Sequence, residues 1–159
     1  TTVVLAIVPK LPEGAGAGAL GCYHRGERTA WVLVESACRN PGATFGLAMS
    51  PAVYRSVIVH ELAHAIAGTS FADRQASIIG QEYIAYVTQL ATMPATLRDR
   101  ILARYPRGSD ETFRRLNIYI YMMDPAQFAA IAWRHHVGPG GGPDFIRAVI
   151  EGRALNDNG

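Results

Sequence analysis

At 159 residues the chain is long enough for one domain with a buried core, and 49% apolar residues is ordinary for a globular protein. A net charge of +2 argues for neither nucleic acid nor an anionic membrane surface as partner, and no apolar run reaches the length of a membrane span. In chain order, Thr2 to Val8 is a β-branched apolar run that predicts a buried strand, followed by a Pro/Gly/Ala loop to Gly18. Leu20 to His24 leads into a turn at Arg25-Gly26-Glu27, and Thr29 to Glu35 reads as the partner strand of a hairpin. A turn at 39–42 precedes Ala43 to Met49, expected as a short strand entering the first helix. From Ser50 onward the pattern is nearly all helix. Ser50 at the N-cap and Pro51 at the first helical position open a helix to Ala67, with Gly68 as its stop. Further helices are expected over Ala76 to Met93 and Pro94 to Tyr105. Another is capped by Ser109-Asp110 and holds Phe113, Leu116, Ile118 and Ile120. Pro125 to His136 (capped by Asp124) and Pro143 to Ile150 complete the set, joined by a flexible glycine connector at 138–142. Strands first and helices after make an α+β layout in a single domain, 1–159, with no internal repeat.

The two cysteines, Cys22 and Cys38, flank the hairpin strand Thr29 to Glu35. An even pair with no other thiol predicts a disulfide and an oxidising compartment, two buried free thiols being the alternative. A start at Thr1 fits a trimmed secreted protein or a shortened chain, so a secreted or periplasmic location is the expectation.

The chemistry concentrates at His60-Glu61-Leu62-Ala63-His64. Histidines four apart on a helix share a face, so both imidazoles reach one ion, and the intervening glutamate is placed to take a proton from a metal-bound water. That is the zinc metalloprotease arrangement. Val53, Val57, Ile58, Leu62, Ala65 and Ile66 make the helix apolar nearly all round, so its polar groups need partners. The bland alternative is two core histidines and a glutamate satisfied by hydrogen bonds.

A catalytic zinc takes three protein ligands and a water. The extended pattern with a third histidine after a glycine fails, because position 67 is Ala and position 70 is Ser. Glu82 is the lone acid in the next apolar helix. Across residues 50–90 the chain resembles the gluzincins, the group that includes thermolysin and the zinc aminopeptidases, whose third ligand is a glutamate on the helix after the motif helix. Gln81-Glu82-Tyr83-Ile84-Ala85-Tyr86 is similar to the segment around the aminopeptidase glutamate, with Gln81 where Asn is usual and a slightly shorter spacing from His64. The resemblance implies a zincin-like fold, with a small sheet above the motif helix whose edge strand binds extended peptide. Ala43–Met49 and Thr29–Glu35 are the candidates for that edge. It implies one Zn2+ per chain held by His60, His64 and Glu82, with Glu61 as general base. Asp73 is the alternative ligand, and is otherwise a turn residue.

A histidine or tyrosine that donates to the reaction's oxyanion is expected too. Tyr86, His135 and His136 are the leading candidates, with Tyr119 and Tyr121 behind them. Asp73 or Gln75 are candidate partners that orient the ligand histidines. The reading is a zinc metallopeptidase acting on a peptide or protein substrate. Its rival is a zincin-like domain without turnover, either a binding module or a structural zinc site closed by a fourth ligand. An intact Glu61 argues against the rival, since a structural site has no use for a base.

Overall fold

The computed structural model describes residues 2–71, 77–107 and 115–156. It is α+β, a three-stranded N-terminal sheet followed by helices. The strands are β1 (Val4–Val8), β2 (Gly21–His24) and β3 (Thr29–Leu33), in the order β1-β3-β2. β2 and β3 form the expected hairpin, with Gly21 opposite Val32 and His24 opposite Thr29. β1 then pairs parallel to β3, Val4 opposite Thr29 through Val8 opposite Leu33. β3 is therefore central, and Ala30 and Val32 on its inner face are fully buried. The edges are β1 and β2, which corrects the expectation that Thr29–Glu35 forms one. β1 is also less buried than its composition predicts: Val4, Leu5 and Ile7 are exposed.

Ala43–Met49 is not a strand. A 3-10 turn spans Gly42–Thr44, and Phe45 and Gly46 follow at φ 56° and 67°. Two successive left-handed residues cannot continue an extended chain. Thr44 fixes the bend, its hydroxyl meeting the carbonyls of Pro41 (3.0 Å) and Leu47 (2.8 Å).

Helix α1 (Pro51–Ser70) starts as its cap signal predicts, with the Ser50 side chain accepting from Val53 N–H. It does not stop at Gly68. That glycine is inside the helix because the Tyr23 ring lies against it; a Cβ there would meet Tyr23 Cε1 at 3.1 Å. Val57 packs with Leu20 and Val32, seating α1 on the sheet, and the Tyr54 hydroxyl donates to Leu33 O at 2.8 Å.

Helix α2 (Ile78–Thr92), capped by the Ser77 hydroxyl, runs against α1. After α3 (Ala95–Arg104) and the short α4 (Ile118–Met123), α5 (Pro125–Val137) packs on α2, its Phe128, Ala129 and Ile131 buried. Asp124 caps α5 as expected, accepting from Gln127 N–H at 3.0 Å. α4 is capped by Asn117; the expected cap Ser109-Asp110 and Phe113 lie outside the described residues. α6 (Pro143–Ile150) closes the core with Val149 and Phe145. Among the described residues no helix is long and apolar enough to cross a membrane.

Cys22 and Cys38 are free thiols, which corrects the predicted bridge. Cys22 lines the cleft described below and feels the charge of Glu61, whereas Cys38 turns its sulfur to Val34 O at 3.5 Å.

Candidate metal centre

The crossing of α1 and α2 brings three of the expected ligands together. His60 and His64 project from one face of α1, and their Nε2 atoms are 3.1 Å apart. Glu82, from the facing side of α2, places one carboxylate oxygen 3.6 Å from His60 Nε2 and the other 3.5 Å from His64 Nε2. One donor atom from each lies within 4.8 Å of the others. Tetrahedral zinc with bonds of about 2.0–2.1 Å separates its ligand atoms by roughly 3.3–3.4 Å. The Nε2–Nε2 separation falls just under that figure and each imidazole has its own carboxylate oxygen just beyond it, a spacing that could accommodate a small divalent ion. The alternative ligand Asp73 and the candidate partner Gln75 lie outside the described residues.

His60 is held from behind. Its Nδ1 pairs with Gln89 Oε1 at 3.0 Å, and Gln89 donates from Nε2 to the Ser56 hydroxyl (3.2 Å), which itself donates to Val53 O. With a carbonyl oxygen as the partner, Nδ1 carries the proton and Nε2 presents its lone pair to the Glu82 side. The Tyr86 ring packs edge-on to His60 at 4.6 Å. Glu82 is held as well, because the Tyr121 hydroxyl on α4 donates to its carboxylate.

Glu61 lines the same cleft on its sheet side, against β2. It is buried, and Gly21 on β2 faces it so closely that a Cβ there would lie 2.5 Å from Glu61 Cγ and 2.8 Å from Oε1. A glycine is required by this approach of strand to carboxylate.

Burial pushes all four groups toward neutrality. His64 falls to about 4 through desolvation. His60 is held well below the ordinary histidine range by desolvation and by His64, against the opposing Gln89 bond. Desolvation raises Glu61 to about 8, with the Glu82 charge adding to it. Glu82 rises to about 7 by desolvation, opposed by the Tyr121 bond. Two neutral imidazoles and a carboxyl that burial keeps from charging are donors of the kind that could hold a metal ion.

The group opens into a cleft of about 930 Å3 walled by the 16–23 segment, the 40–46 loop, Tyr86, Tyr121 and Arg104. Tyr86 is the expected oxyanion candidate that the structure brings to the site, with Tyr121 across from it. His135 and His136 do not reach it. The former pairs through Nδ1 with the Tyr83 hydroxyl (2.9 Å) and packs on Phe145, and the latter lies beside Trp133. They sit in the last turn of α5 and neither lines the cleft, which corrects both assignments. Three contributors were not foreseen: Gln89, Gly21 and Arg104. Only Gln89 had a signal, since it follows Glu82 by seven residues and so shares its helix face.

The fold and site define an α+β domain with a half-buried His-His-Glu group that could hold a metal ion. The chain belongs to a family described as of unknown function (DUF6639), which matches residues 1–159. No curated protein matches the chain, and no solved structure does.

Proposed function

We propose that this protein is a zinc-dependent hydrolase that cleaves peptide bonds. The observation that supports this best is the convergence of His60, His64 and Glu82 beside a fourth buried group, Glu61, that is not part of the converging set. Zinc bound there supplies a Lewis acid and a lowered pKa for water, near ~7. Glu61 takes a proton from water entering the cleft and passes it to the leaving amine nitrogen as the carbon–nitrogen bond breaks. Water's oxygen ends on the new carboxylate and both of its protons end on the released amine, the first carried by Glu61 and the second lost from the new carboxyl group at neutral pH. Near the metal's positive charge Glu61 ionises more readily than its burial alone allows, so it can act as a base at neutral pH. Of the two tyrosines lining the cleft, Tyr86 is the donor proposed for the developing oxyanion, because the single O–H of Tyr121 is committed to Glu82.

A closed structural site needs a fourth protein ligand. Among the described residues the group has three members, which favours the open, catalytic arrangement. Elemental analysis of gently purified protein should find about one zinc per chain, followed by cleavage of a broad peptide mixture that Glu61→Gln does not perform. Protein that resists zinc loading ends the metal assignment. Fully loaded protein that cleaves nothing transfers the site to a binding role.

A further inference from the structure

The 40–46 loop, whose second half falls in the expected Ala43–Met49 strand, is bent around the Arg104 guanidinium. Phe45 is buried yet left-handed, and a bulky residue adopts that conformation only where its surroundings impose it. Gly46 continues the bend at φ 67°. The consequence is a carbonyl turned outward: Phe45 O accepts Arg104 Nη1 at 2.6 Å. Gly46 makes the room, since a Cβ there would sit 2.4 Å from the same nitrogen. Arg104 closes α3, a position where a cation also suits the helix dipole, but its guanidinium is drawn across to the loop instead of folding back on the last carbonyls.

Among the described residues Arg104 forms no ion pair, and one bond to a carbonyl leaves most of its five donors unused. It is exposed, and it lines the same cleft as His60, Glu61 and Glu82. Phe45 connects the two ends. Its carbonyl fixes the guanidinium, while its ring meets Tyr86 at 6.0 Å, and Tyr86 meets His60 at 4.6 Å. An extended peptide advances ~3.3 Å per residue, so a short one spans this wall.

We infer that Arg104 is a carboxylate anchor, and that the substrates of this cleft carry a carboxylate on the side of the scissile bond nearest the 40–46 loop. A guanidinium held in place presents a planar fork that matches a carboxylate with two parallel bonds. The carboxylate comes either from an Asp or Glu side chain or from the peptide's own C-terminus; both offer the same pair of oxygens. The inference rests on the peptide-hydrolase reading for its choice of ligand, although the anchor itself needs no turnover.

The test uses the full chain, zinc-loaded, carrying Glu61→Gln so that peptides stay intact. Three fluorescent peptides of one sequence are compared by anisotropy: neutral with an amidated end, neutral with a free C-terminal carboxylate, and amidated with one internal Glu. At least one carboxylate peptide should bind about 10–100-fold tighter than the neutral one, the range for hydrogen bonds to a charged group. Arg104→Gln should erase the advantage, and Arg104→Lys should keep part of it, since a point charge replaces the fork. Which carboxylate peptide gains identifies the source. Equal binding of all three, or an advantage that survives Arg104→Gln, overturns the anchor. If Glu61-intact protein still cleaves peptides in that case, the hydrolase reading stands without it. Arg104-dependent binding in protein that never cleaves keeps the anchor and ends the hydrolase reading. No binding and no cleavage end both.

Discussion

The molecule carries two pairs of histidines, and they differ in a way that separates a site from a core. His60 and His64 are four apart on α1, so the rings meet at 4.8 Å and both aim at Glu82. His135 and His136 are adjacent on α5, so successive side chains diverge by roughly 100° and the rings part. One meets Phe145 edge-on and bonds Tyr83; the other lies by Trp133. Burial lowers the pKa of all four. Desolvation is therefore common to both pairs, and what distinguishes the first is a shared target with an acid across from it. A perturbed histidine marks a site only when its lone pair has company.

The sharpest way to break the comparison is to remove ligands from each pair. His60→Ala or Glu82→Ala should cost more than about 100-fold in zinc affinity, beyond what an outer partner contributes. His135→Ala should leave affinity unchanged while lowering melting temperature through the lost Tyr83 bond. A competition titration with a chromogenic chelator reads both, and a zinc loss at His135→Ala would erase the distinction.

Next in size is Glu61→Gln. Zinc content and fold should persist while peptide hydrolysis drops by about 10^2–10^4-fold, the scale of a lost general base. Equal rates would mean that the site works by another route.

A smaller effect is expected behind the ligands. Gln89→Ala frees His60 to rotate and Tyr121→Phe releases Glu82, and each should weaken zinc by about 10–100-fold at most. If either is silent in the chelator titration, the ligands are held by packing alone.

The smallest is a pH effect in metal-free protein. Glu61 has a folded pKa of about 8 against an ordinary 4.5, so the folded chain holds a proton that the unfolded chain releases. Its contribution is full below pH 4.5 and is lost as pH rises through about 8. Wild type should therefore lose stability relative to Glu61→Gln across that window, as denaturant midpoints at several pH values will show. A constant difference would place the Glu61 carboxyl in water.

How far the sequence revealed these features follows the range of the interactions. α1 was legible at its start because Ser50 and Pro51 act locally, and Glu82 was legible because a lone acid in an apolar helix needs a reason. Gly68 reads as a stop because its actual role, contact with the Tyr23 ring 45 positions earlier in the chain, is one that no local rule sees. The place of β3 at the sheet centre depends on β1 returning beside it in parallel, again a long-range fact. The bend at Phe45 was hidden for another reason. Its residue type favours strand, and the tertiary hold on its carbonyl overrides that preference. The cysteines flanking the hairpin gave no indication that their thiols face different surroundings.

Gly21 has a consequence best put in genetic terms. The atoms that a new Cβ would strike are Cγ, Cδ and Oε1 of Glu61, so β2 keeps its place only if that side chain turns away. The smallest change, Gly21→Ala, should therefore yield a chain that still folds yet carries its base in the wrong place. Gly16 borders the same cleft with nothing within 4 Å of an added Cβ, and it should accept small residues freely. Sorted first for abundance and then for activity, the two alanine variants would be alike in the first sort and opposite in the second.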